Sequence, residues 1–329
     1  MKKTLLFLSL TIVGFFSLFF LFLFAGNAPL AEDIIWGVNF SFKQAERLSL
    51  DWREVYENAL TDLKAKHIRV AVHWDAVEAD KNQFFFEDID WMMERAREEG
   101  AEVILAVGMK TPRWPECHVP SWAATLPQLE QQKEISEMLT ALVTRYRDHE
   151  ALGAWQVENE PLFPFGECPW MDSTFLKDEI SLVQSLDSGH DVFTSDSGEL
   201  SFWWQAATLG DKVAVTLYQK AWFEPLKRYV DYPLPPVFYG RKAWLVEQVF
   251  GKEVFVGELQ AEPWTPFALE DASLTEQAKT MDIARFKDNI AFAKETGLDT
   301  FYLWGTEWWY WLKEVHGNDE ILKEAKKLF

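Results

Sequence analysis

At 329 residues the chain is longer than a typical single domain, although α/β barrels run to this size as one unit. With 48% hydrophobic and 16% aromatic residues it carries ample core material and cannot be disordered as a whole. The formal net charge of −20 argues against nucleic acid, whose phosphates are met by clustered Lys and Arg, and suits a neutral or cationic ligand.

The first element is an apolar stretch from Leu5 to Ala25, broken only by Ser9, Thr11, Gly14 and Ser17 and preceded by Lys2 and Lys3. At helical rise it is about long enough to span a bilayer. Signal-peptide cores are usually shorter, roughly 7 to 15 residues. The small-x-small site Gly26-Asn27-Ala28 is followed by Pro29, so an uncleaved anchor is favoured over a cleaved signal. The lysines should stay cytoplasmic and leave the rest outside, membrane-anchored, or secreted if the segment is removed. Residues 1–30 are therefore set apart from a globular part, 31–329.

From there, short apolar runs alternate with amphipathic stretches. The runs Ile34–Asn39, Ile68–His73, Glu102–Val107, Ala154–Glu158, Val192–Ser195, Val213–Tyr218, Val254–Gly257 and Thr300–Trp304 read as parallel strands covered on both faces. Helical spacing predicts helices over Trp52–Lys66, Ile89–Glu99, Leu129–Tyr146, Thr174–Leu186, Arg241–Phe250, Leu274–Glu295 and Asp319–Leu328, with a weaker one within Leu200–Thr208. Eight strands with intervening helices match a (β/α)8 TIM barrel, an α/β fold, in count and order. No linker or low-complexity tract interrupts it.

Two glutamates stand directly after buried strands: Glu160 in Trp155-Gln-Val-Glu-Asn-Glu-Pro161, and Glu258 in Val254-Phe-Val-Gly-Glu258. A parallel barrel brings all its strand ends to one face, so these carboxyls can meet there. A lone glutamate at a strand end is more often an ordinary rim salt bridge. Two, on the fourth and seventh strands, weaken that reading. Charge at a barrel mouth costs desolvation unless it is paired or used. Glu158, Glu262 and Glu307 are further carboxylates predicted near the rim, the last two in loops.

Asn159-Glu160-Pro161 and Val256-Gly257-Glu258, together with Arg69 in Ile68-Arg-Val-Ala-Val-His-Trp74 and an aromatic last strand ending at Trp304, resemble glycoside hydrolase clan A. The likeness is closest to the cellulase family 5 and its β-galactosidase and β-mannanase relatives, and it covers Ile34 to Trp311. It implies a retaining β-glycosidase acting on oligo- or polysaccharide by double displacement, with Glu160 as acid/base and Glu258 as nucleophile. It further implies Arg69 and Tyr218 as partners of Glu258, Asn159 as a contact to the sugar 2-hydroxyl, and His73 and Trp74 shaping the pocket. Glu160 precedes Pro and follows Asn, as in the clan pattern, and is preferred to Glu158 on that ground.

The 17 Trp concentrate where strands hand over to rim loops. Sugar rings pack their C–H faces on aromatic planes, and Trp offers the largest one. Trp304 is expected as the floor under the cleaved sugar, with Trp264 or Trp308 flanking it. Cys117 and Cys168 fall in neighbouring rim loops, after the third and fourth strands. They form a disulfide if the compartment is oxidising, or remain two free thiols. No Cys/His spacing indicates a metal, and no cofactor is expected. The competing reading is a non-catalytic surface barrel that binds glycan without cleaving it.

Overall fold

The computed structural model describes residues 2–329, and side chains from Thr11 onward except Val13 and Phe15. The elements run α1 (Lys2–Phe24), β1 (Ile35–Phe40), α2 (Phe42–Arg47), α3 (Trp52–Thr61), β2 (His67–Ala71), α4 (Trp74–Val77), α5 (Glu87–Glu98), β3 (Glu102–Val107), α6 (Gln128–Tyr146), β4 (Leu152–Val157), α7 (Ser173–Leu186), β5 (Asp191–Asp196), α8 (Trp204–Leu209) and β6 (Lys212–Leu217). A hairpin, β7 (Lys220–Phe223) and β8 (Arg228–Asp231), interrupts the alternation. Then come α9 (Pro236–Phe250), β9 (Glu253–Gln260), α10 (Leu274–Gln277), α11 (Ile283–Glu295), β10 (Thr300–Trp304), α12 (Thr306–His316) and α13 (Glu320–Ala325).

Eight strands close into a parallel barrel in the order β1-β10-β9-β6-β5-β4-β3-β2. All eight predicted strands are present within a few residues of their expected limits. Outward side chains such as Val70, Leu105, Trp155 and Val256 pack under the helices, while Ile104, Ala154, Phe193, Ala214, Phe255 and Tyr302 fill the barrel's lower interior. The interior is thus a packed core with polar residues confined to its upper, C-terminal end. Helix starts follow local chemistry: Asp51, Asp172 and Asp282 each accept backbone N–H bonds at the N-termini of α3, α7 and α11.

Three regions depart from the expected pattern. The predicted helix Leu274–Glu295 divides into α10 and α11, because Asp282 caps a fresh start. Thr306–His316, expected as rim loop, is a helix whose Glu307, Trp308, Trp309, Tyr310 and Trp311 are all buried. The long segment after β6 contains the hairpin.

The end of α1 rests on α9 through Phe22 against Trp244 and Phe24 against Phe238. Beside it a cleft of about 860 Å³ lies at the opposite end of the barrel from the polar layer, bordered by Glu253 and Asp299 at the strand starts. Part of the stretch expected as an anchor, through Leu10 and at Val13 and Phe15, lies outside the residues with described side chains. Among the described residues no helix is long and apolar enough to cross a membrane, so the expected anchor gains no support.

Candidate active site

Glu258 owes its direction to a β-bulge. On β6 and β9, Ala214 pairs with Phe255 and Val215 with Val256, but Thr216 pairs with Glu258, so Gly257 is an extra residue in β9. The register against β10 shifts over the same stretch. Strict alternation from inward-facing Phe255 would send Glu258 outward into the helix layer. The extra residue turns it inward instead, which is how bulges re-aim side chains at barrel rims.

The end of β4 breaks alternation differently. Gln156 faces inward, and the chain then passes through left-handed conformations at Glu158 (φ 61°) and Glu160 (φ 42°). Non-glycine residues rarely adopt such angles without a surrounding structure that enforces them. Glu158 swings sideways, and its carboxyl accepts the Met109 and Lys110 N–H groups, both at 2.7 Å, closing the top of β3. The second turn delivers Glu160 to the mouth, its N–H donating to Ser195 Oγ at 2.8 Å. Glu158 and Glu160, alike in sequence register, are thereby separated into a scaffold carboxyl and a partly exposed one.

Arg69 ties the strand ends together. Inward-facing on β2 and 1% exposed, it donates from Nη1 to Glu258 Oε1 (2.9 Å) and Asn39 Oδ1 (2.7 Å), from Nε to Gln156 Oε1 (2.7 Å), and from Nη2 to Asn159 Oδ1 (2.7 Å). Asn39 in turn donates to the Gly257 carbonyl at 3.0 Å, on the bulge itself. Tyr218 Oη donates to the other oxygen of Glu258 at 2.9 Å. Both Glu258 oxygens therefore meet donors, one of them cationic, which is the environment of an ionised carboxylate.

Glu160 has the opposite surroundings. Among the described residues no side chain hydrogen-bonds its carboxyl. Burial, then the charge of Glu258, then that of Glu116 push its pKa well above the usual carboxylate range, with Lys110 opposing. Tyr218 is held well above the ordinary phenol value by burial and by the charges of Glu258 and Glu160. The two carboxyls, 98 positions apart in sequence (258 − 160), are thus close enough for the charge of Glu258 to raise Glu160, while Glu258 itself is held by Arg69.

The remaining expected residues sort by burial. His73 is enclosed between Ser41 Oγ and Thr111 Oγ1, each at 3.0 Å, and lies 4.0 Å from the His118 ring, with burial lowering its pKa. Trp74, wholly buried in α4, donates to Glu78 at 2.9 Å. Trp308 is also buried and donates to Gln277 at 2.8 Å, so it is a packing residue of α12. One face of Trp304 is covered by the Arg113 guanidinium, 4.0 Å from its centroid. Trp264 stays partly exposed and stands edge-on to Tyr218 at 5.1 Å. Phe165 continues from Trp264 to exposed Trp114, forming an aromatic wall beside Glu258. Cys117 and Cys168 are joined in a disulfide that ties the loops after β3 and β4.

Several residues of the site carry no sequence signal of their own. Arg113 pairs with Glu262 and, at 2.7 Å, with Glu307, a single cation shared between two rim carboxylates. Ser195 donates to Asn159 Oδ1 at 3.0 Å. Glu116, from the disulfide-tied loop, accepts from Asn159 Nδ2 at 3.0 Å. Only Gln156 was within reach of pattern reasoning, being two residues before Glu158 on an alternating strand. Among the described residues no group of His, Cys, Asp and Glu could hold a metal ion.

Searches for related proteins agree with this architecture at the level of structure. No protein-family model matches the sequence, and no curated protein matches it significantly. Solved structures do. A β-galactosidase from the haloarchaeon Halorubrum lacusprofundi superposes with a TM-score of 0.55 at 16% identity, over 82% of this chain and 52% of that one. The GH5_18 protein of Streptomyces cattleya, solved with GlcNAc, gives 0.56 at 15% identity, over 83% and 70%. Xylanase 10B of Thermotoga maritima gives 0.56 at 15% identity, over 83% of each chain. The chain spans about half the length of the β-galactosidase it matches. At 15–16% identity this likeness shows a shared fold, the closed (β/α)8 barrel expected from the strand and helix pattern.

Proposed function

We propose that the protein is a retaining β-glycoside hydrolase with Glu160 as acid/base and Glu258 as nucleophile. The carrying observation is the contrast between the two carboxyls. Arg69 and Tyr218 hold Glu258 as an anion, while Glu160, burdened by burial and by neighbouring negative charge, keeps its proton. Glu160 donates that proton to the leaving oxygen as Glu258 attacks the anomeric carbon, giving a glycosyl-enzyme. Glu160, now ionised, takes a proton from the water that hydrolyses it. Double displacement calls for carboxyls roughly 5 to 5.5 Å apart. Trp264, with Phe165 and Trp114 behind it, supplies an apolar wall for sugar rings. Neighbouring folds named as a β-galactosidase and a xylanase support a β-linked substrate, and the GH5_18 neighbour was solved with GlcNAc bound.

We further propose that the barrel works outside the cytoplasm. The Cys117–Cys168 disulfide supports an oxidising compartment.

The test is a screen of the purified protein against aryl β-glycosides and β-linked polysaccharides, with product stereochemistry read by NMR. Release of the β-anomer, lost in both Glu160→Gln and Glu258→Gln, is the expected result. Binding of an oligosaccharide with no reducing ends released over hours would replace this reading with the non-catalytic one.

A further inference from the structure

The loop after β3 brings a third carboxyl into the site. Glu116 follows Pro115 and precedes Cys117, and its backbone is left-handed at φ 73°. The surrounding structure enforces that angle: its N–H donates to the Arg113 carbonyl at 2.7 Å, and its carbonyl accepts from Thr111 at 2.9 Å. Gly166, from the partner loop across the disulfide, packs so closely on the Glu116 side chain that a Cβ there would overlap it. Glu116 is 5% exposed, and Oε2 accepts from Asn159 Nδ2 at 3.0 Å.

That contact decides which way the Asn159 amide points. Arg69 can only donate, so the Asn159 atom it meets must be the oxygen. Ser195 Oγ donates to the same oxygen. The amide nitrogen therefore faces Glu116, and Glu116 is the acceptor that completes the arrangement. Glu160, the next residue along, feels the Glu116 charge directly.

We propose that Glu116 is a positioning residue of the reaction assigned above: its carboxyl fixes the Asn159 amide and sets a second negative charge beside Glu160. This rests on Glu160 being the acid. The charged and titratable groups around the pair are Glu258, Lys110, Arg69, Glu199, Tyr218 and Tyr232. Arg69 is committed to Glu258 and Asn159, and Lys110 Nζ to the carbonyls of Glu160 and Phe163, so neither makes a hydrogen bond to Glu116. Burial pushes Glu116 up to about 7, partly offset by Lys110. Its charge thus develops as pH rises through about 7.

Glu116→Gln keeps an oxygen for Asn159 and removes the charge. Catalysis needs protonated Glu160, so kcat/KM falls as pH rises through its pKa. Removing a neighbouring negative charge lowers that pKa. The alkaline limb of the pH profile of kcat/KM should move about one unit toward acid, a tenfold change in the proton equilibrium. Glu116→Ala should shift the limb equally and raise KM as well, since Asn159 is released. An active parent whose alkaline limb is unmoved in both variants overturns the inference and leaves the assigned reaction standing. Failure of both variants to fold overturns it too, making Glu116 a scaffold residue. A Glu160→Gln variant as active as the parent removes the assigned reaction itself.

Discussion

At Glu258, each oxygen is met by a donor, and the geometry of those donors sets what substitution does. Arg69 makes four hydrogen bonds from three nitrogens, a fork that an ammonium cannot reproduce. Arg69→Lys is expected to lower kcat/KM by about a hundredfold and, by leaving buried acceptors unmet, to cost about 3 kcal/mol in denaturant unfolding. Glu160→Gln removes the proton donor and should lower kcat by at least about a thousandfold on substrates with poor leaving groups. Stopped assays on alkyl and activated aryl glycosides, compared side by side, check this, since an activated leaving group needs less protonation. At this scale the sequence showed the two glutamates, Arg69, Asn159 and Tyr218, because each stands at or beside a strand end. It did not show Glu116 or Arg113, whose roles depend on a loop that folds back over the barrel, nor Ser195, whose small side chain at the end of β5 gives no signal of the bonds it makes.

Among the elements, the two rim loops tied by Cys117–Cys168 carry most of what distinguishes this site. The disulfide spans a sequence separation of 51, and closing a loop of that size restricts the unfolded chain by roughly 4 kcal/mol. Cys117→Ser with Cys168→Ser should lower the unfolding midpoint accordingly and raise KM more than it lowers kcat, because Glu116 and Phe165 lose their support. Gly108 offers a sharper case. Its φ is 126°, and an added Cβ would strike the Glu158 carboxyl that closes the top of β3. Gly108→Ala is expected to destabilise by about 2 kcal/mol or more, read in chemical unfolding. The helix α12 was missed in sequence for a physical reason. Trp308, Trp309, Tyr310, Trp311 and Leu312 form a consecutive buried run, and such a run over the first turns masks the spacing that marks a helix. Its aromatics therefore looked like a sugar platform, whereas Trp308 packs inward and Trp304 has one face under Arg113.

For the whole molecule, the raised carboxyls link stability to pH. Glu116, Glu158 and Glu199 are each pushed up to about 7, chiefly by burial, against roughly 4.3 in an unfolded chain. The fold holds these protons more tightly than the unfolded chain does. Their contribution is fully present below about pH 4.3 and is lost progressively as pH rises through about 7. The net charge of −20 acts in the same direction, since self-repulsion grows as the last carboxyls ionise. The thermal midpoint should therefore fall by about 5 °C or more between pH 5 and pH 8. A midpoint that rises over that interval would contradict this account.

The sequence by itself determined the barrel, because parallel strands covered on both faces must be continuous apolar runs, and such runs leave a legible pattern. It also determined which two carboxyls stand after the fourth and seventh of them. Tertiary structure alone decided where those carboxyls point: the bulge at Gly257 turns Glu258 inward, and left-handed turns at Glu158 and Glu160 divide one register into a scaffold carboxyl and a partly exposed one. Alternation is a property of a single strand, while bulges, left-handed turns and folded-back loops arise from contacts between elements distant in sequence, so no local pattern announces them.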